Sequence, residues 1–197
     1  MTHSATVPVK RLSGADRPAL AAHFVQLGDE DRRLRFGSAR SDDSLREYVE
    51  SLDFDRDAVF GAFDDELALA GVAHVAVSPE FAELGVSVLP AARNRGIGSA
   101  LFERANLFAR THYIRTMFTH CLTENRAMMR IARKTGMVIV TESGEADARL
   151  DLPPAGMTTI TREMMADRVA LLDYAMKAQL TAARRLAASW RGEREQG

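Results

Sequence analysis

Apolar residues along this chain recur at two periods, and the changes between them divide it into short elements. Residues 7–12 read as a first strand. Ser13-x-x-Asp16 then has the form of a helix start, with Asp in the place a capping box gives to Glu or Gln. Leu20, Phe24 and Leu27 follow at spacings of four and three, one face of a helix. Residues 31–36 predict another helical turn, and Ser41 opens a helix that runs to about residue 52. Residues 58–63 and 67–77 are apolar runs of strand length, joined by Asp64-Asp65-Glu66 as a hairpin turn. The next strand is 81–89, followed by a helix whose stripe is Ile97, Leu101, Ala105 and Phe108. A strand at 116–122, a helix at 125–135 closed by Gly136, and strands at 138–141 and 148–152 complete the alternation. This order predicts an α/β fold.

Pro153-Pro154 stops the sheet and divides residues 1–152 from an extension at 153–197. Residues 161–190 read as one long helix. Met165, Val169, Leu172 and Met176 alternate spacings of four and three; Ala183 and Leu186 continue the register, with Gln179 as its polar break. Such a stripe serves equally a helix laid back across its own domain and one that pairs with a second copy of the chain.

Composition narrows the function classes. A formal net charge of −1 gives no global basic field for nucleic acid. No apolar run approaches the length of a membrane span, and the first dozen residues lack the apolar stretch of a secretory signal, so a cytoplasmic protein is expected. The single cysteine, Cys121, excludes an internal disulfide framework; set in an apolar run, it reads as a buried, inert thiol. His74 and His120 read as core or strand-end residues, and no His/Cys/Asp cluster has metal-ligand spacing.

The candidate chemistry starts where strand 81–89 ends. A proline is followed by Arg93-x-Arg95-Gly96-Ile97-Gly98 opening a helix. Glycines let the backbone approach an anion, the first helical turn presents unpaired N–H groups and a positive dipole end, and the two arginines add charge-assisted donors. A Rossmann fingerprint would need glycine at Leu101, and a phosphate loop would need Gly-Lys-Ser/Thr; neither is present. Arg93, Gly96 and Gly98 instead fill the three fixed positions of the acetyl-CoA-binding motif of the GNAT superfamily of N-acetyltransferases, which this segment resembles. A second GNAT-like segment follows about 30 residues on: Asn125, Met128, Ile131, Gly136 and Met137 sit at the spacings of an Asn, a short helix and a Gly-Phe ending. The resemblance covers residues 7–152 and implies a mixed, mostly antiparallel sheet flanked by helices, with the C-terminal helix outside it. It places acetyl-CoA across Val88, Leu89, Arg93, Asn94, Arg95, Gly96, Ile97, Gly98 and Ser99. Asn125 would help hold the pantetheine arm or the helix beside it; by its residue type alone it caps that helix, and both roles are compatible.

Amine acetylation needs a neutral amine, a polarised thioester and a protonated leaving thiolate. Ala82-Glu83-Leu84-Gly85-Val86 resembles the stretch of bacterial protein lysine acetyltransferases in which the glutamate is general base. Glu83 is an isolated carboxylate in an apolar run, where partial burial would tune it; its other reading is a solvent-facing strand residue. Resemblance also implies a bulge in this strand that frees a backbone N–H for the oxyanion, with Val88 the matching donor. The tyrosine that many relatives place seven residues after the asparagine is here Ala132; Tyr48, Tyr113 and Tyr174 are the substitutes on offer. Arg35-Phe36 and the stretch at 51–55 also resemble protein lysine acetyltransferases, and the nearby acids Asp29, Glu30, Asp31, Asp42 and Asp43 either attract a cationic amine or form a solvated face. The expected function is acetyl-CoA-dependent N-acetylation of a primary amine, protein lysine or small molecule, without metal. The alternatives are a non-catalytic acyl-CoA-binding regulatory module and an interaction protein built on the C-terminal helix.

Overall fold

The computed structural model describes residues 7–79 and 81–194; residues 1–6, on which the reading of the N-terminus as signal-free largely rests, lie outside the described residues. In chain order the elements are β1 (Lys10–Arg11), α1 (Arg17–Val25), α2 (Asp29–Phe36), α3 (Asp42–Ser51), β2 (Ala58–Phe63), β3 (Leu69–Val77), β4 (Phe81–Val88), α4 (Ile97–Thr111), β5 (Thr116–Leu122), α5 (Arg126–Lys134), β6 (Val138–Glu142), β7 (Glu145–Asp151) and α6 (Met157–Arg194). The strands form one sheet in the order β1-β2-β3-β4-β5-β7-β6. Every neighbouring pair is antiparallel except β4–β5.

Local chemistry sets the element ends. The Ser44 N–H donates to Ser41 Oγ at 3.2 Å, and the Met128 N–H to Asn125 Oδ1 at 3.0 Å, capping α3 and α5. The Ser13 N–H donates to Asp16 Oδ2 at 2.8 Å, so the aspartate takes the role of a capping-box glutamate. The strand expected over 7–12 shrinks to Lys10–Arg11 because Pro8 has no N–H for the ladder. The last strand is longer than expected: Ser143 and Gly144, with φ of 50° and 90°, close a tight β6–β7 turn that lets pairing begin at Glu145.

Both faces of the sheet are covered, which explains the continuous apolar runs of β2 and β3. Val59 and Val72 join Leu20, Phe24, Leu45 and Val49 of α1 and α3 in one core. Phe60, Ala73 and Leu84 join Leu101, Phe102 and Phe108 of α4 in the other. Cys121 belongs to this second core, and burial pushes its thiol up, as expected of an inert cysteine.

The long helix α6 lies against α4 and β1 of its own domain. It does so through polar and small residues. The Arg104 side chain, 3% exposed, bonds Glu163 at 3.0 Å and also pairs with Asp167. Ala170 and Thr159 are buried, Tyr174 packs edge-on against Phe63, and Lys177 donates to the Phe63 carbonyl at 2.9 Å. The stripe singled out in the sequence faces the other way: Met165, Val169, Leu172, Met176 and Leu186 are all exposed. No helix among the described residues is long and apolar enough to cross a membrane.

Candidate active site

Parallel pairing of β4 with β5 ends at Glu83↔Phe118, whereas β5 stays paired to β7 along its whole length. Beyond that point β4 and β5 diverge, and a cleft of about 630 Å³ opens between them, walled by Val86, Val88, the start of α4, and α5. The Leu89 N–H bonds the Ala70 carbonyl of β3 at 2.9 Å. Antiparallel alternation therefore turns the N–H groups of Val86 and Val88 away from β3, into the divergence. The pairing of β3 with β4 runs from Gly71↔Val88 to Val77↔Ala82 without a register shift. The expected bulge is thus absent; loss of the β5 neighbour alone frees the Val88 N–H.

The floor of the cleft is the turn into α4. Asn94 and Gly96 both have left-handed φ, 60° and 81°, and curl the chain so that α4 starts against the cleft. No side chain caps α4, and its first turn closes with the Ala100 N–H on the Gly96 carbonyl at 3.0 Å. The N–H groups of Ile97, Gly98 and Ser99 are therefore the unpaired donors of a helix N-terminus. The two glycines serve different needs. Gly96 supplies the left-handed turn, while a Cβ on Gly98 would come within 3.1 Å of Ile131 across the cleft. Asn94, Gly96, Ile97, Gly98, Ser99 and Asn125 all line this space, as do Val88 and Arg93. Leu89 and Arg95 do not: Leu89 packs beneath the turn, in the α1–α3 core, and Arg95 is exposed.

Helix α2 bridges the two walls. Arg93 bonds Asp31 at 2.5 Å and the Val88 carbonyl at 3.3 Å, so its guanidinium, expected to be free for an anion, is engaged by a carboxylate. On the other wall Arg33 bonds Glu124 at 2.7 Å, and Asn125 Nδ2 reaches the Leu34 carbonyl at 3.3 Å. Asn125 thus caps α5 and ties it to α2.

The face of the sheet toward α1–α3 carries groups that the sequence reading passed over. His23 is buried, with Nδ1 on the Leu69 carbonyl at 2.7 Å and Nε2 on Ser87 Oγ at 2.8 Å. Burial lowers it to about 4, so it is neutral near pH 7. Ser87 in turn borders the cleft. Farther along the face, Tyr48 Oη lies 2.8 Å from His74 Nδ1, and His74 Nε2 lies 3.1 Å from Asp57 Oδ2. Burial keeps His74 below the ordinary imidazole range and pushes the Tyr48 phenol up. Burial works against the Asp57 charge as well, but hydrogen bonds from Arg56, the Val77 N–H and His74 together hold its carboxyl low.

Glu83 stands on this face, in register with Ala76 and Phe118. Its carboxylate favours the charged forms of His74 on one side and His120 on the other, although Asp147 is the main cause of the His120 rise. Glu83 is exposed, so the partial burial expected of it is not found. Ala132 is buried in α5 and offers no acid. None of the three tyrosines lines the cleft: Tyr113 is 88% exposed, Tyr174 packs from α6 edge-on against Phe63 and Tyr48 is held by His74. No group of His, Cys, Asp and Glu among the described residues could hold a metal ion.

A sequence profile of the acetyltransferase (GNAT) domain matches residues 9–138. Among solved structures, the GNAT domain of PAT from S. lividans superposes with a TM-score of 0.63 at 23% identity, over 73% of this chain and 89% of that one. The ribosomal-protein-alanine N-acetyltransferase of Brucella melitensis gives 0.58 at 20% identity, over 73% and 99%. YncA of Salmonella typhimurium, solved with its cofactor acetyl-CoA, gives 0.57 at 16% identity, over 75% and 95%. These likenesses support the mixed, mostly antiparallel fold, and the profile spans well over half of the residues. The chain belongs to the GNAT acetyltransferase family.

Proposed function

We propose that the protein transfers an acetyl group from acetyl-CoA to a primary amine by direct attack within a ternary complex. The observation that carries this reading is the β4–β5 divergence opening onto the uncapped start of α4. Bound acetyl-CoA supplies an activated thioester acetyl group. The N–H groups of Ile97, Gly98 and Ser99 and the α4 dipole would hold the pyrophosphate, and Arg93 would join them by releasing Asp31. Val88 would offer its N–H to the carbonyl oxygen, where negative charge develops. Glu83 takes the proton that the amine must lose. The Ser-His pair at Ser87 keeps β4 in register beside the cleft without donating charge, since His23 is neutral.

Release of free CoA thiol tests this reading, using polyamines, amino acids, aminoglycosides and lysine peptides as acceptors. Glu83→Gln keeps the shape and removes the base, so turnover should fall about a hundredfold. The loss should shrink at high pH, where the amine deprotonates unaided. Wild-type turnover in Glu83→Gln would return Glu83 to a surface role. Ala132 and the exposure of Glu83 favour a second reading, a regulatory module that binds acyl-CoA without turnover. That module would bind CoA and release no thiol with any acceptor.

We also propose that a second copy of the chain covers the outward face of α6. Met157, Ile160, Met164, Met165, Val169, Leu171, Leu172, Met176 and Leu180 are 42–78% exposed. That strip is broader than soluble monomers ordinarily present. Its seam at 165, 169, 172 and 176 is a strict heptad, which is matched by another helix of the same spacing.

A further inference from the structure

Among the described residues, none is a counter-ion to Arg35. It sits at the C-terminal end of α2 and borders the cleft where β4 leaves β5. Among the described residues no carboxylate lies within salt-bridge distance of it, although Arg32, Arg33 and Arg93 nearby are each paired with an acid. Its one side-chain hydrogen bond is long, 3.4 Å from an Nη to Tyr48 Oη, and its Nε is buried with no partner. A half-buried guanidinium with unmet donors is costly unless something else meets them.

The placement is specific. The guanidinium lies on Gly85: a Cβ there would stand 2.2 Å from its Cζ, so a side chain at 85 would displace it. Phe36 flanks it, with the ring centre 4.8 Å from Cζ. His23, His74 and Tyr48 lie around it, and the Arg35 charge disfavours the protonated form of each; Arg40 lies against the same Phe36 ring, 4.9 Å from its centre, and the Asp57 and Glu83 carboxylates act on His74. Asp57 is held by Arg56 and His74, so this corner of the site leaves the Arg35 charge without a carboxylate of its own. Glu83, the proposed base, precedes Gly85 by two residues on the same face of β4, about 7 Å along the strand.

We infer that Arg35 receives a carboxylate carried by the acceptor, so that the acceptor is an amine with a free carboxylate a few bonds away, of the amino-acid class. This rests on the acetyltransferase reading and narrows its substrate. A guanidinium and a carboxylate match as a two-pronged, charge-assisted pair. Holding the carboxylate at Arg35 leaves the amine near Glu83 and the divergence of β4. A polyamine has nothing to place there, and the side chain of an internal lysine brings no carboxylate.

The test compares the twenty amino acids with their carboxamides as acceptors for acetyl-CoA, with kcat/KM expressed per unprotonated amine. For each side chain accepted, the acid should exceed its amide by at least about tenfold. In Arg35→Met that ratio should collapse to near one, and Arg35→Lys should retain part of it because charge remains while the paired geometry is lost. Because the wild-type ratio needs no variant, a poorly folded Arg35→Met leaves the test intact. Equal use of acids and amides by the wild type overturns the inference, as does a wild-type preference that survives Arg35→Met. So does an Arg35-dependent preference for succinyl-CoA over acetyl-CoA, which would give the carboxylate to the donor. Turnover of a lysine peptide blocked at both ends, with none of any amino acid, overturns the inference and leaves acetyl transfer standing. No turnover of any amine overturns both.

Discussion

His23 links the stability of the α1–β4 contact to pH. Its folded value is about 4 against an ordinary 6.5, so the unfolded chain binds the extra proton between these two values. The His23 contribution is complete above pH 6.5 and is lost as pH falls toward 4. The full effect is ~3 kcal/mol. Urea midpoints across this range should decline on acidification, and His23→Gln should flatten much of that decline. An identical pH slope in the variant would mean that other groups carry it. Residues of this kind are where sequence reading stops. His23 meets Leu69 and Ser87, which lie 46 and 64 positions away, and nothing local to residue 23 announces either partner. The same holds for Tyr48, His74 and Asp57, and for Arg35, whose neighbour Gly85 gave no sign of a guanidinium above it. Glu83 was legible as a lone carboxylate in a strand, but its exposure depends on what fails to cover that face.

At the scale of elements the apolar runs were informative because they are set by the sheet. The extents of β2 and β5 follow directly from the runs at 58–63 and 116–122, and Ser41 and Asn125 cap the helices that they introduce. The turn into α4 was legible for the same reason: a left-handed glycine and an uncapped first turn are local properties. The role of α2 was not. Its charged sequence read either as a lure for cations or as a solvated face, and it also ties the two walls of the cleft through Arg93–Asp31 and Arg33–Glu124. Each such exposed pair stabilises the fold little. If Arg93 binds the pyrophosphate as proposed, the Asp31 carboxylate would compete with it for that side chain. Asp31→Asn should therefore tighten CoA binding about threefold, within the range of one surface ion pair. Weaker binding in that variant would show that Asp31 positions Arg93 for the ligand instead.

For the whole molecule, the inversion of α6 matters most. A helical apolar stripe is ordinarily read as the face that meets the core. Here the buried Arg104 needs acids, and Glu163 and Asp167, one turn apart, provide them; the apolar face is left outward by that constraint. At a 1.5 Å rise its 38 residues span about 57 Å, so the seam is long enough to bind a second helix. Light scattering should report a dimer for the full chain and a monomer for a chain ending at Asp151. Monomers in both cases would remove the second copy from the account. Alternation of period thus disclosed the layers, and Gly96 disclosed the turn into α4, while docking of the last helix was decided by one buried charge.

On the proposed reading, the α4 turn between the diverging strands would hold acetyl-CoA. Calorimetric titration of acetyl-CoA into the full chain and into Gly96→Asp tests it most directly. Aspartate tolerates the left-handed φ of 81° better than most residues, so the fold should survive with a modest cost of ~1 kcal/mol. Its carboxylate would face the pyrophosphate. Binding to the wild type is expected, with a loss of at least about a hundredfold in the variant and an unchanged circular dichroism spectrum. Equal affinity in the two proteins would contradict the proposed reading.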